Sequence, residues 1–134
     1  MSEDLQLSDL QLAIMRVLWD RGEASASEVQ ADLAEGGRDL APTTVSTLLS
    51  RLARRGLVDA RRSGRHFSYV AQVSEEEIRS SMVSRVTEHL FAGDALALMS
   101  HLLRDSDLGP DGLAEVRRLL AAVEEPAAKK KEST

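Results

Sequence analysis

In the first part of the chain apolar positions recur three and four residues apart, the spacing of amphipathic helices, in three separate bursts. Leu10, Ile14, Val17 and Leu18 form the first, with Ser8 and Gln11 spaced for a capping box before it and Gly22 after it. A helix is therefore predicted from Ser8 to about Asp20. Trp19, at its end, reads as a core plug rather than a stacking platform. A second box, Ser25 with Glu28, opens a short helix carrying Val29 and Leu33 that closes at Gly36 and Gly37. The third burst lies in APTTVSTLLSRLARRG, Ala41 to Gly56. Pro42 suits the first helical position and Gly56 the left-handed residue beyond the end. Val45, Leu48, Leu49 and Leu52 fall on one face, while Thr43, Ser46, Thr47, Ser50, Arg51 and Arg54 fall on the other. Taken alone, this is also the pattern of an ordinary amphipathic surface helix.

After Gly56 the period changes to two. Leu57 to Ala60 reads as a short strand, Arg61 to His66 holds a turn at Ser63 and Gly64, and Phe67 to Val73 reads as the returning strand. Phe67 and Tyr69 share one face of that strand, which predicts core packing under the hairpin. Ser74 and Glu77 form a third capping box before a long helix to about Phe91, with Ile78, Met82, Val86 and Leu90 spaced by four. Gly93 ends it. Asp94 caps a further helix bearing Leu96, Met99, Leu102 and Leu103, and Pro110 starts a last one bearing Leu113, Val116, Leu119, Leu120 and Val123. These three helices carry more apolar surface than a small domain covers, so the expected partner is a second copy of the chain. From Glu124, EEPAAKKKEST loses all periodicity and predicts a disordered, solubilising tail.

The predicted class is mainly α with a small β-hairpin wing. Residues 1–73 form a winged helix-turn-helix domain, 74–123 a helical dimerisation region and 124–134 the tail. In such an arrangement the second helix braces, the third enters the major groove, and the hairpin reaches flanking phosphates or the adjacent minor groove.

Charge placement strengthens this reading. The chain has a formal net charge of −5, which by itself argues against nucleic acid. From Arg38 to Arg65, however, seven arginines face two acids, about +5, while the remainder carries ten basic and twenty acidic residues, about −10. A basic island in an acidic protein is the footprint of a local DNA-binding surface. Candidate DNA contacts are Thr43, Thr44, Ser46, Thr47, Ser50, Arg51 and Arg54 on the third helix and Arg61, Arg62 and Arg65 on the wing. Short hydroxyl side chains let a helix approach base edges, and arginine forks onto guanine or phosphate.

Other chemistries find little support. There is no cysteine, which excludes disulfides and thiolate metal sites. His66, His89 and His101 show no metal-ligand spacing, and Glu75 to Glu77 occupy a helix's first turn, where negative charge suits the dipole. No Walker loop or GxGxxG is present. No catalytic constellation, cofactor or metal is expected. No membrane span or signal peptide is evident either, which predicts a cytoplasmic protein.

The order LQLAIMRVLWDRGEASASEV, APTTVSTLLSRLARRGLVDARRSGRHFSYVAQVSEEE and LFAGDALALMSHLL resembles the BlaI/MecI penicillinase-repressor family from about Leu7 to Val123. The carrying signals are the tryptophan ending the first helix, the TTVxTLLxRLxxRGLV core, the FxY of the wing, VSEEE and LFxGD. The resemblance implies a homodimeric transcriptional repressor on a two-fold TACA/TGTA-type operator, with dimerisation through the C-terminal helices. By position those would contribute Ile78, Met82, Val86, Leu90, Leu96, Met99, Leu102, Leu103, Leu113, Val116, Leu119 and Leu120. A copper-responsive branch uses a C-terminal cysteine cluster, which this chain lacks. An antibiotic-responsive branch is released through a membrane sensor and proteolysis at an Asn-Phe pair in the helix after GD, where this chain has His101 and Leu102. Two other readings remain open from the residues: a small-molecule-responsive regulator of the MarR type, against which the lack of a long helix before Ser8 speaks, and a winged helix used as a protein-interaction module.

Overall fold

The computed structural model describes the backbone of residues 5–132 and the side chains of residues 5–125. Serine caps set where the first helices begin. Ser8 Oγ accepts from the Gln11 N–H at 3.1 Å while Gln11 Oε1 accepts from the Ser8 N–H at 3.1 Å, fixing the first turn of α1, Asp9–Arg21. Ser25 and Glu28 do the same for α2, Ala26–Glu35. The next helix, α3, Pro42–Arg54, has no side-chain cap, and Pro42 withholds a donor that would otherwise stand unpaired. Its end closes as a Schellman turn: the Leu57 N–H donates to Leu52 O and the Gly56 N–H to Ala53 O, both at 3.0 Å, with Gly56 at φ +78°. Leu52 and Leu57 are both buried, so the turn that stops α3 also returns the chain to the core.

Three antiparallel strands, β1 (Ala24–Ser25), β2 (Val58–Ser63) and β3 (His66–Ala71), lie in the order β1-β3-β2. The hairpin expected from sequence is thus extended by a third strand. Ala24 pairs with Tyr69 and Ser25 with Ser68, filling the free edge of β3 with a two-residue stretch too short to carry any period. The turn is also tighter than predicted. Only Gly64 and Arg65 join the strands, with Ser63 opposite His66 and Gly64 at φ +64°. Arg61 and Arg62 are consequently ladder residues rather than turn residues, and they project to opposite faces.

The core gathers Ile14, Met15 and Leu18 from α1, Val29 and Leu33 from α2, Val45, Leu49 and Leu52 from α3, Leu57 and Val58, and Ile78 from α4, Glu75–Phe91. Trp19 packs against this core and its indole N–H donates to Val73 O at 2.9 Å, anchoring the end of the sheet where α4 begins. Ile78 is 1% exposed and Met82 also packs on the core. These two positions, expected in the dimerisation set, are therefore covered within the chain: the first turns of α4 lie beside Leu12 and Trp19 of α1. The N-terminal compact unit runs through Val86. Phe67 differs in the other direction. It is 49% exposed because the hairpin outreaches the body, whereas Tyr69, two residues inward, is half-buried against the core as predicted.

The second unit begins at Thr87 and holds the end of α4, α5 (Ala95–Asp105) and α6 (Gly109–Glu132). Ala92 and Gly93, both at positive φ, turn the chain, and Asp94 Oδ1 accepts from the Ala97 N–H at 3.1 Å to start α5. Helical backbone continues through Pro126 to Glu132, past Glu124, where the loss of pattern predicts disorder. Alanine and lysine are good helix formers, so the end of the apolar stripe is not the end of the helix. Among the described residues of this unit none is buried.

Candidate nucleic-acid interface

The outer face of α3 is built by what its inner face buries. At about 100° per residue, burying Val45, Leu49 and Leu52 turns Thr43, Thr47 and Arg54 outward, with Ser46 and Thr44 on the two flanks. All seven expected contacts on this helix, Thr43, Thr44, Ser46, Thr47, Ser50, Arg51 and Arg54, are exposed. Thr43, Thr44, Thr47 and Arg51 share one shallow concavity with Leu48. Ser46 looks the other way, towards the wing.

On that side a groove of about 590 Å³ separates helix and wing. Ser46 forms one wall, Arg65, His66, Phe67 and Tyr69 of the wing another, and residues 25–28 at the start of α2 the floor. The structure thus brings Arg65 beside the outer face of α3 and adds to the groove His66 and Ser27, which sequence reasoning did not single out, together with Phe67, which it placed in the core. The register of the hairpin is the signal that would have found His66 and Phe67, which follow directly from a turn placed at Gly64 and Arg65.

The arginines of the basic island are not equivalent. Arg61 lies 3.4 Å from Asp59 on its own strand, and Arg55 donates to Gln6 O at 2.8 Å, tying down the segment before α1. Arg51, Arg54, Arg62 and Arg65 are exposed and have no carboxylate partner among the described residues. Four uncompensated guanidinium groups on one helix and its adjoining wing make a surface of strongly positive potential, suited to phosphates.

Comparison with known proteins accords with this geometry. The sequence model of the penicillinase repressor family matches residues 7–122. The chain belongs to that family. It is a DNA-binding transcriptional repressor of the BlaI/MecI type with a winged-helix domain. Among its relatives, the methicillin resistance regulatory protein MecI of Mammaliicoccus sciuri is 25% identical over 115 residues, covering 86% of this chain and 93% of that protein. The penicillinase repressor of Bacillus licheniformis is 25% identical over 127 residues, covering 95% and 96%. The solution structure of the DNA-binding domain of the repressor BlaI is similar at a TM-score of 0.50 and 30% identity, over 57% of this chain and 93% of that one.

The remaining residues of the expected dimerisation set are open to solvent. Leu90 and Leu96 are each 74% exposed and Leu119 60%; Val86, Met99, Leu102, Leu103, Leu113 and Leu120 are exposed too, and Val116 is half-buried. His101 and Leu102, at the expected cleavage position, sit inside α5. His101 Nε2 lies 2.9 Å from Asp105 Oδ2, and the ring meets Phe91 edge-on at 5.9 Å. Among the described residues no helix is long and apolar enough to cross a membrane.

Proposed function

We propose that this winged-helix repressor acts as a symmetric homodimer that occupies a two-fold, TACA/TGTA-like operator, the α3 helix of each subunit in a major groove and each wing on the flanking backbone. The observation that carries the dimer is the apolar surface of the unit from Thr87 onward: it buries no described residue, yet leaves Leu90, Leu96, Leu119 and Leu120 more than half exposed. Among the described residues, leucines on three successive helices stay exposed, and a second copy of the same surface is the self-complementary solution. One α3 helix reaches only a few base pairs. Two, held at fixed spacing, read two half-sites and gain affinity and specificity together.

Repression then needs no chemistry, only occupancy of DNA that polymerase must enter. Release by a membrane sensor and proteolysis at His101–Leu102 would require α5 to open first, since proteases bind extended backbone and this peptide bond is helical. Placing charge on the proposed dimer surface tests the central claim. Leu119→Asp/Leu120→Asp should halve the mass seen by light scattering and abolish tight operator binding in a gel shift while the winged-helix unit stays folded. An unchanged mass would show that the dimer forms elsewhere.

A further inference from the structure

Phe67 is a large apolar side chain left half in water near the tip of a hairpin that is buried at Val58 and half-buried at Tyr69. The register explains where it points. Val58 pairs with Ala71, Ala60 with Tyr69 and Arg62 with Phe67, so these three pairs form one row along a single face of the hairpin. The row begins buried at Val58, passes through the half-buried Tyr69 and emerges at Phe67. The body of the domain therefore lies on the same side of the hairpin as the Phe67 ring, and that ring borders the groove whose opposite wall is Ser46 of α3.

Arg62 is held on this ring. Its Cζ lies 5.8 Å from the ring centroid, and its Nε donates to Gly64 O at 3.3 Å. A cation–π contact draws the guanidinium to the ring face through its charge and leaves its Nη N–H groups available. The Nη edge of Arg62 is thus oriented but unoccupied by any carboxylate among the described residues. Arg61, on the opposite face, lies beside Asp59 instead. Two adjacent arginines are set apart by one alternation of the strand: one is neutralised on the outer side, the other is preorganised on the α3 side.

We infer that Phe67 is a positioning residue for DNA binding, its ring holding the Arg62 guanidinium on the α3 side of the wing, ready to fork onto a phosphate of the strand that runs between wing and helix. The inference rests on the reading of α3 and the wing as the DNA-facing surface. A free arginine loses side-chain freedom when it grips a phosphate; one already held over a ring loses less. Phe67 therefore acts through Arg62, and its effect on affinity exists only while Arg62 is present.

A double-mutant cycle on the full-length protein separates this role from simple packing. The probe is a duplex selected by the wild-type protein from a random-sequence pool. Arg62→Ala should weaken binding and flatten its salt dependence by about 0.9 log units per log unit of salt for each phosphate the variant no longer grips. Phe67→Ala should weaken binding about two- to fivefold, the range of an exposed cation–π contact, and should have no further effect in the Arg62→Ala background. Phe67→Trp should retain wild-type affinity. Phe67→Leu, which keeps apolar bulk without a π face, should bind like Phe67→Ala at an unchanged thermal midpoint, which guards against misfolding of the smaller variant. Wild-type affinity in Phe67→Leu, or an equal loss from Phe67→Ala with and without Arg62, overturns the inference while leaving the DNA-binding reading intact. Selection of no duplex by the wild-type protein overturns both.

Discussion

Changing Arg51 and Arg54 to alanine removes half of the uncompensated guanidinium groups that the structure places on helix and wing. With Arg51, Arg54, Arg62 and Arg65 exposed, the proposed dimer would turn about eight cations to its operator, and each phosphate neutralised contributes about 0.9 to the salt slope, so log affinity should fall with log salt at about −7. The double variant keeps about four and should fall at about −3.6. Between 50 and 200 mM salt these slopes mean a loss of about 10⁴-fold for the wild type and about 10²-fold for the variant. If Arg51 also forks onto a guanine, an additional loss of about 1 to 3 kcal/mol appears on the selected duplex and not on unrelated DNA. Fluorescence anisotropy across a salt series measures both quantities. Arg117→Ala/Arg118→Ala, exposed positions on α6, makes the same change in net charge far along the chain and should leave the slope at the wild-type value. A steep slope in the α3 variant together with a flattened one in the α6 control would refute the assignment of α3 as the DNA-facing helix.

Two further outcomes probe how the interface is held. Gly56→Ala meets no atom within 4 Å, so its cost is backbone strain at φ +78°, about 1 kcal/mol, read as a lower urea midpoint with an unchanged m-value. The Arg21 guanidinium, bonded to Asp32 at 2.7 and 2.9 Å, holds that carboxyl below the usual carboxylate range, first through the hydrogen bond and then through its charge. A lowered folded pKa contributes stability that is present above the unfolded value of about 3.9 and is lost as pH falls through the folded one. The small stability gap between wild type and Asp32→Asn should therefore be constant near neutral pH and close below about pH 4; a gap that widens in acid would contradict the pairing.

Local chemistry was legible in the sequence wherever a feature is decided within four residues. The serine capping boxes at Ser8, Ser25 and Ser74 all form, and Gly56 takes the left-handed position beyond α3. The inner face of α3 was legible for the same reason: Val45, Leu49 and Leu52 are buried, and Leu48 at the margin is half-buried. A helix's geometry depends on its own residues, so spacing suffices to say which side chains share a face.

Tertiary structure decided what each face meets. Met15 joins the core because α1 is covered on more than one side, which its own stripe did not require. Ala24 and Ser25 become a strand only because β3, far along the chain, offers them an unpaired edge at Ser68 and Tyr69. Ile78 repeats the four-residue spacing of Val86 and Leu90 without distinction, yet it is buried in the N-terminal unit while they are exposed. The arginines divide likewise: Arg55 clamps Gln6, Arg61 sits with Asp59, and Arg62 lies over the Phe67 ring. By itself the sequence determined a basic, helix-borne surface, because charge and period are properties of the chain. Which guanidinium groups remain free to meet DNA depends on neighbours brought together from distant positions, and that only the fold could decide.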